Sequence, residues 1–268
     1  MAIPIIINGA LGKMGIEIAG VVLADSAVSL VSTVDRAGHP SSGLDYGQCI
    51  GKGNLGIPVS AAVDPRTAAS AVIIDFSSAR STHELLTKAG EHGYCMVIGT
   101  TGLTDEDYTL AKQAAQKAPI LVSPNMSLGV NLLFSLTEMV AKRLKNDFDI
   151  EIIEAHHRFK KDAPSGTAKK LGQIVAGAFD KDYETLVRHG RSGLSANDRG
   201  REEIGMHAVR GGDIVGDHTV LFAGIGERVE LRHMMHSRST LARGAVVAAK
   251  WLSSQKPGYY SMKDVLGL

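Results

Sequence analysis

The feature that most constrains the fold lies at the N-terminus, where a short apolar strand runs directly into a glycine-rich turn. Ile3–Asn8 is a run of apolar, mostly β-branched residues, and Gly9, Gly12 and Gly15 follow it at G-x-x-G-x-x-G spacing. Residues 13–24 then carry apolar side chains at helical intervals. A buried parallel strand that passes through such a turn into a helix is typical of the first unit of a dinucleotide-binding sheet.

The same alternation of short strands and helices repeats through the first half of the chain. Further strands are predicted at Val28–Val34, Val72–Phe76, Met96–Ile98 and Pro119–Val122. Parallel strands need crossover connections, and helical segments of suitable length separate these strands. The order of elements therefore favours an α/β fold with an N-terminal Rossmann-like, doubly wound parallel sheet.

The pattern changes after Asn125. A long amphipathic helix is predicted at 129–144, followed by a strand at Ile150–Glu154 and a helix at Ala168–Phe179. Strands and turns then dominate, with strands predicted at Gly205–Arg210, Gly216–Ala223 and Glu227–Arg232. This succession favours a second α+β domain with a mostly antiparallel or mixed sheet.

These changes in pattern predict two domains. The dinucleotide-binding domain is expected to comprise residues 1–126 together with 237–268, because the Ala-rich helical segment at 239–253 resembles the closing helices of nucleotide-binding domains. The second domain is expected to comprise residues 127–236 and to bind the substrate.

Composition excludes several function classes. The chain has 268 residues, 44% of them hydrophobic and 21% charged, with a formal net charge of +1, so no overall field favours nucleic acid or an acidic membrane. Two cysteines, Cys49 and Cys95, are too few for a disulfide framework and lack metal-ligand spacing. No signal peptide and no apolar stretch of bilayer length is visible. We expect a cytoplasmic protein that binds neither nucleic acid nor membrane.

An acid and two loops extend the predicted cofactor site. Asp35 lies twenty residues after Gly15, at the end of the second predicted strand, where a carboxylate can hydrogen-bond the ribose of an adenosine. Its neighbour Arg36 could pair with a 2′-phosphate, so both NADH and NADPH are expected to bind. The segments 99–102 (Gly-Thr-Thr-Gly) and 123–126 (Ser-Pro-Asn-Met) follow two further strands and are expected at the same sheet edge, near the nicotinamide.

The densest chemistry lies at 154–168, which reads Glu-Ala-His-His-Arg-Phe-Lys-Lys-Asp-Ala-Pro-Ser-Gly-Thr-Ala. If the chain is extended there, His156 and His157 point to opposite sides and have different roles. Residues 158–161 contribute three cations, which are expected to disfavour the charged form of a nearby imidazole and so to suit a proton donor. Adjacent histidines rarely share one ion, and no metal is predicted.

The end of this run predicts an anion site. Ser165, Gly166 and Thr167 precede a helical segment, and a helix start offers free backbone N–H groups and hydroxyls that can hold a carboxylate. Ser165 can also serve as an ordinary N-cap, and both roles can hold at once. Lys160 lies within the same cluster and is expected to contact a small dianionic substrate.

At these residues the chain resembles the 4-hydroxy-tetrahydrodipicolinate reductase (dihydrodipicolinate reductase) family of bacterial lysine and diaminopimelate biosynthesis. The 154–168 run is the most specific element of the resemblance. The similarity also covers Gly9–Gly15, Asp75-Phe76, Val97–Gly102, Gly211–His218 and Gly226–Glu230.

The resemblance implies roles for particular residues. His156 matches the catalytic acid, and Lys160 matches a lysine that is both catalytic and substrate-binding. The substrate carboxylate contacts match His157, Ser165, Gly166 and Thr167. The cofactor contacts match Gly9, Ala10, Leu11, Gly12, Lys13, Met14, Asp35, Arg36, Gly99, Thr100, Thr101, Ser123, Pro124, Asn125 and Met126.

The resemblance further implies a reaction and an assembly. A cyclic imine dicarboxylate is reduced with NADH or NADPH, and His156 supplies the proton. Members of the family are typically cytoplasmic homotetramers built through the second domain. Two alternatives remain open: another NAD(P)-dependent amino or imino acid reductase, and a non-catalytic NAD(P)-binding regulator, which would leave the 154–168 cluster idle.

Two positions depart from the family pattern. Many members have Thr-Arg-Pro or Thr-Ser-Pro after the Asp-Phe pair, whereas Ser77-Ser78-Ala79 stands here. An arginine that could grip an adenosine phosphate is therefore missing at that point. Lys13 replaces a more usual arginine in the glycine turn, which keeps the charge and loses the fork geometry.

Overall fold

A computed structural model of the chain describes residues 1–195 and 197–268. The described residues form two compact units, Met1–Leu128 with Ser239–Leu268, and Gly129–Arg238.

The first unit is a seven-stranded, fully parallel sheet with helices on both faces, in the order β12-β6-β5-β4-β1-β2-β3. Its strands are β1 (Ile3–Asn8), β2 (Val28–Val34), β3 (Val59–Ser60), β4 (Val72–Asp75), β5 (Cys95–Ile98), β6 (Pro119–Val122) and β12 (Gly258–Tyr260). Its helices are α1 (Lys13–Ala24), α2 (Tyr46–Cys49), α3 (Pro65–Ala68), α4 (Ala79–His92), α5 (Asp105–Ala114), α9 (Ser239–Leu252) and α10 (Met262–Leu266).

Burial explains why these strands are apolar throughout. Ile5, Ile6 and Ile7 of β1 are all fully buried, because helices cover both faces of the sheet. Two separate apolar clusters lie on the two faces, and α9 packs with α1 on one of them. The Rossmann-like sheet predicted from the sequence is therefore present.

The second unit contains a five-stranded mixed sheet in the order β11-β10-β7-β9-β8. Its strands are β7 (Asp149–His156), β8 (Val187–His189), β9 (Ile204–Arg210), β10 (Gly216–Ala223) and β11 (Arg228–Met235). Its helices are α6 (Leu128–Leu144), which begins at the boundary, α7 (Gly166–Ala178) and α8 (Tyr183–Leu186). The pairs β7–β10 and β10–β11 are antiparallel, whereas β7–β9 and β8–β9 are parallel, so the sheet is mixed as predicted.

Several predicted boundaries were wrong by a few residues. The helix predicted at Ala168–Phe179 begins at Gly166, because Ser165 is its N-cap and accepts the N–H of Ala168. The strand predicted to end at Arg232 continues to Met235, because β10 offers a partner at every position of β11.

Candidate active site

Steric constraints fix the glycine turn at the carboxyl end of β1. Gly9 has φ +78°, and a Cβ there would lie 2.5 Å from the carbonyl oxygen of Phe76. A Cβ at Gly15 would lie 2.2 Å from the carbonyl oxygen of Gly9. Only glycine permits this close packing of turn and helix, so two of the three glycines identified in the sequence are required by geometry.

Most backbone N–H groups of the turn donate to carbonyls in or beside the turn, whereas the backbone N–H groups at the helix start are left free. The N–H groups of Gly9 and Ala10 both donate to the Val34 carbonyl, and that of Gly12 donates to the Gly9 carbonyl. Gly12 is the N-cap of α1 and supplies no side-chain cap, and no acidic residue lies in the first helical turn. The start of α1, at Lys13, is therefore an uncapped positive helix end of the kind that holds phosphate.

Asp35 closes the turn from the end of β2. Its carboxylate accepts hydrogen bonds from the backbone N–H of Leu11 at 2.8 Å and from that of the adjacent Arg36 at 2.9 Å. A cleft of about 580 Å³ lies beside it, with Asp35, Arg36, Arg80 and Glu84 in its lining. The carboxylate thus shapes the turn as well as facing the cleft.

Arg80 adds a cation to this cleft. The comparison of Ser77-Ser78-Ala79 with the family pattern did not predict this cation. Arg80 lies in the first turn of α4, and its Nε is 3.1 Å from Oε1 of Glu84. The cleft therefore contains two arginines, Arg36 and Arg80, even though the position that holds an arginine in many family members does not.

A buried carboxylate, Asp75, ends β4 next to the turn. It is fully buried and accepts hydrogen bonds from Asn8, Ser77, Thr82 and Thr100 at 2.8, 2.6, 2.5 and 3.2 Å. Burial raises the pKa of Asp75 above its ordinary value, against the lowering effect of these four hydrogen bonds. The cluster ties the ends of three neighbouring strands together and was not identified from the sequence.

The two loops expected near the nicotinamide lie at the ends of adjacent strands, β5 and β6. Segment 99–101 follows β5, and a Cβ at Gly99 would lie 2.2 Å from the Phe76 ring. Segment 123–126 follows β6, where the Ser123 hydroxyl donates to the Asn125 carbonyl at 2.8 Å. All the predicted cofactor residues therefore lie along one carboxyl edge of the first sheet, the edge at which open α/β sheets bind ligands.

In the second unit, His156 ends β7 and is paired with a buried carboxylate. Its side chain is 11% exposed, and its Nδ1 lies 2.5 Å from Oε2 of Glu154, which is fully buried. The two residues are two positions apart on one strand, so both side chains lie on the face that packs against the helices. The nearest charge to the imidazole is therefore negative, and the expectation that neighbouring cations dominate its environment was wrong.

Glu154 also binds Arg210 and Ser165. Both terminal nitrogens of Arg210 donate to the carboxylate at 2.8 Å, and the backbone N–H of Ser165 donates at 3.1 Å. Burial raises the pKa of Glu154, but the hydrogen bonds from Arg210, His156 and Ser165 outweigh it and leave the pKa below its ordinary value. Glu154 is therefore ionised at neutral pH and accepts from every partner.

Ser165 caps α7 and contacts a second buried histidine. Its hydroxyl lies 3.0 Å from Nε2 of His218, whose ring packs edge-on against that of His156 with centroids 5.2 Å apart. Burial, with the nearby His156 charge, lowers the pKa of His218 to about 4. His218 is therefore neutral at physiological pH, and the helix start at Gly166 and Thr167 lies beside a neutral ring.

Lys160 lies near this group but is engaged by a neighbour. Its Nζ is 2.8 Å from Oδ2 of Asp162, and its side chain is 21% exposed. The other predicted contact, His157, follows β7 and is half-buried. The structure thus brings His156, His157, Lys160 and the Ser165–Thr167 helix start into one part of the second unit.

Sequence reasoning missed three residues of this group, Glu154, Arg210 and His218. The spacing of Glu154 and His156 on a predicted strand was a usable signal, because residues two apart share a face. The other two depend on sheet register, in which Arg210 is opposite His156 and His218 is opposite Glu154. Register between distant strands is not visible in a single sequence.

Residues 1–195 and 197–268 contain no group of three or more histidine, cysteine, aspartate or glutamate side chains arranged to hold a metal ion. None of the helices they form is both long and apolar enough to cross a bilayer.

Two features indicate the class of protein to which this chain belongs. One is the uncapped helix start on the parallel sheet, and the other is the buried imidazole–carboxylate pair on the mixed sheet. Together they are typical of a dinucleotide-dependent oxidoreductase. The sequence matches the family described as "Dihydrodipicolinate reductase, N-terminus" over residues 3–126 and its C-terminal counterpart over residues 129–266. The chain therefore belongs to the dihydrodipicolinate reductase family.

Individual relatives agree over the full length. A protein of Hahella chejuensis named 4-hydroxy-tetrahydrodipicolinate reductase is 46% identical over 267 residues, which cover 98% of each chain. One of Thiobacillus denitrificans with the same name is 45% identical over 268 residues, all of both chains. A dipicolinate-bound dihydrodipicolinate reductase from a Paenisporosarcina species superposes with a TM-score of 0.77 at 25% identity, covering 97% of this chain and 98% of that one.

Other solved structures share the fold alone. An amine dehydrogenase from Mycobacterium smegmatis gives a TM-score of 0.58 at 14% identity, covering 98% of this chain and 95% of that one. At this identity the similarity carries no inference about the reaction.

Proposed function

We propose that this chain reduces 4-hydroxy-tetrahydrodipicolinate, through dihydrodipicolinate, to tetrahydrodipicolinate in lysine and diaminopimelate biosynthesis, with NADH or NADPH as reductant. The observation that carries the proposal is the Glu154–His156 pair beside the start of α7. This arrangement combines a proton donor with a site for a carboxylate. The relatives that carry this enzyme name are similar to the chain over its full length.

The first unit supplies the proposed cofactor site. The uncapped start of α1, at Lys13 and Met14, would hold the pyrophosphate, and the close packing that Gly9 and Gly15 permit fixes the turn beside it. Asp35 and Arg36 would contact the adenosine ribose. The loops 99–101 and 123–126 would contact the nicotinamide end. The bound cofactor supplies a hydride to the substrate ring.

The second unit supplies the proposed substrate site. The helix start at Ser165, Gly166 and Thr167 would bind one carboxylate through N–H and hydroxyl donors, with His157 as a further contact. Lys160 would leave Asp162 and stabilise the negative charge that develops on the conjugated ring. His156 would then protonate the carbon next to the one that receives hydride, so that two electrons and two hydrogens are added in all.

A turnover assay tests this proposal. Substrate generated enzymatically is added to the protein with NADH or NADPH, and oxidation of the nicotinamide is followed by absorbance. We expect substrate-dependent oxidation with either cofactor. A protein that binds the cofactor without oxidising it would instead be a regulator, and the proposed function would be rejected.

We further propose a cytoplasmic homotetramer assembled through the second unit. One observation supports the assembly: the face of the mixed sheet away from α6 and α7 carries the exposed apolar side chains of Ile153, Val209 and Met234. An apolar face of this kind is more often covered than left in water. Light scattering coupled to gel filtration is expected to give four times the 28.4 kDa chain mass, and a monomeric mass would contradict the proposal.

A further inference from the structure

We propose that Glu154 is a positioning residue that fixes the tautomer of His156, so that Nδ1 permanently carries a hydrogen and Nε2 is the atom that delivers the proton. The inference deepens the proposed function, because it assumes that His156 is the donor. It assigns to Glu154 a role in the chemistry that the family's name and motif do not specify.

The contacts of the two carboxylate oxygens carry the first step. Oε1 accepts the Ser165 N–H and one Arg210 nitrogen, and Oε2 accepts the other Arg210 nitrogen and faces Nδ1 of His156. Among residues 1–195 and 197–268, Glu154 is the only hydrogen-bond partner of the His156 ring. An ionised carboxylate cannot donate, so Nδ1 must carry the hydrogen of this bond.

Gly216 lies against the opposite nitrogen without bonding it. A Cβ at Gly216 would lie 3.1 Å from Nε2 of His156, so any larger residue there would press on this atom. When the ring is doubly protonated, it can lose the Nε2 proton and keep the Nδ1 hydrogen on Glu154. Proton delivery then leaves the Glu154 hydrogen bond intact.

The charged and titratable groups around the ring come from four elements or loops. Glu154 lies on the same strand, Arg210 on β9 neutralises part of the carboxylate charge, and His218 on β10 packs edge-on. Lys160, in the loop after β7, binds Asp162, whose backbone carbonyl accepts from Arg210. Glu154 is the only one of these groups that hydrogen-bonds the ring, so it controls which nitrogen holds the hydrogen.

Glu154→Gln separates positioning from packing. Oε1 faces two obligate donors, the Ser165 N–H and one Arg210 nitrogen, whereas Oε2 faces one, the other Arg210 nitrogen. We therefore expect the glutamine oxygen at the Oε1 position and its NH₂ group beside Nδ1. Nδ1 then becomes an acceptor, and the doubly protonated ring is disfavoured. We expect kcat at neutral pH to fall about 10²-fold, the lower end of what general acid catalysis contributes, with KM changed less than about threefold.

Two measurements distinguish positioning from a purely structural role of Glu154: the pH dependence of kcat and the ¹⁵N NMR spectrum of the imidazole. A purely structural role would change neither of them. In Glu154→Gln, the fall in kcat on the alkaline side should begin at a lower pH than in the wild type, because the hydrogen bond from the ring to a carboxylate is lost. Imidazole ¹⁵N spectra, assigned by difference from His156→Asn, should show the Nδ1–H tautomer in the neutral wild type and the Nε2–H tautomer in Glu154→Gln. Glu154→Asp keeps the charge and should retain the wild-type profile while losing part of kcat.

Glu151→Gln is the matched control. Glu151 is on the same strand, faces the other side, and binds Arg191, Arg199 and His207 at 2.7–3.0 Å. It has the same kinds of partner as Glu154 but does not touch His156. We expect it to keep the wild-type kcat, pH profile and His156 tautomer.

Three results would overturn the inference. They are an Nε2–H tautomer in the wild-type protein, an unchanged kcat and pH profile in Glu154→Gln, and the same change of profile in Glu151→Gln. The tautomer of the wild type decides the question even if Glu154→Gln fails to fold. A failure of the proposed function looks different, because the wild-type protein would then not oxidise NADH or NADPH with the substrate, whatever tautomer the NMR reports.

Discussion

Two buried carboxylates show how environment decides what a residue can do. Asp75 receives four hydrogen bonds from uncharged side chains, and burial keeps its pKa raised. Glu154 is equally inaccessible, but Arg210 contributes a bidentate ion pair, and its pKa is lowered. The first residue fastens strand ends together through hydrogen bonds to uncharged side chains, whereas the second is a fixed negative charge beside an imidazole.

Lys160 should matter for both binding and rate. Replacing it with methionine removes the cation that we assign to the substrate's developing negative charge while keeping most of its length. We expect kcat/KM to fall by about 10²-fold, with contributions from both constants. Lys161→Met, an exposed neighbouring lysine, is the control. Equal activity of the two variants would remove Lys160 from the mechanism.

Arg80 should influence the choice of cofactor. Its guanidinium lies in the lining of the cleft with Arg36, where the 2′-phosphate of NADPH would add negative charge. Since the side chain is exposed and shared with Glu84, we expect Arg80→Ala to weaken NADPH only about five- to tenfold, with NADH nearly unchanged. Calorimetric titration with each cofactor measures this, and Arg66→Ala, an exposed arginine outside the cleft lining, is the control. Equal weakening of both cofactors would contradict the assignment.

At the scale of elements, the junction of β1 and α1 should tolerate no side chain at Gly15. A methyl group there would lie 2.2 Å from the Gly9 carbonyl oxygen, so Gly15→Ala must displace the helix from the turn. We expect it to destabilise the fold by about 1–3 kcal/mol and to abolish cofactor binding. Gly20→Ala in the same helix meets nothing within 4 Å and should leave stability equal or higher. Tight cofactor binding by Gly15→Ala would show that the turn is not needed for the site.

The elements that were predictable from sequence were those with a strong period and a clear stop. The strand Gly216–Ala223 matches β10 exactly in its bounds, because its alternation of buried and half-buried side chains is regular. Residues 82–89 show a helical pattern in the sequence, and the helix itself extends over Ala79–His92, since Ser78 caps it and Gly93 ends it in the left-handed conformation. Four-residue helices such as Tyr46–Cys49 are too short to show a period and were missed.

The candidate site was predictable from the sequence only where its residues lie close together along the chain. His156, Lys160 and Ser165 lie in one stretch of sequence whose composition is unusual, so they were identified without a structure. Arg210 and His218 come from other strands and reach the cluster only through register. The sign of the charge next to His156 was predicted incorrectly for another reason: the spacing that places Glu154 on the same face of the strand was not used.

At the scale of the whole molecule, buried His218 should make the protein sensitive to acid. The pKa of His218 is about 4 in the folded state, against an ordinary value of 6.5. Between these two values the unfolded chain binds a proton at this residue and the folded chain does not. Stability should be constant above about pH 6.5 and fall as the pH drops toward 4, by at most about 3 kcal/mol from this residue. Thermal unfolding of the wild type and His218→Gln across this range should show a shallower loss in the variant. A parallel loss in both would assign the sensitivity to other groups.

The measurement that tests the account most directly is kcat of His156→Ala with enzymatically generated substrate and saturating NADH. The imidazole is proposed to supply the proton that completes reduction, so its removal should lower kcat about 10²-fold while KM changes little. A variant that folds, binds NADH and turns over at the wild-type kcat would contradict the account.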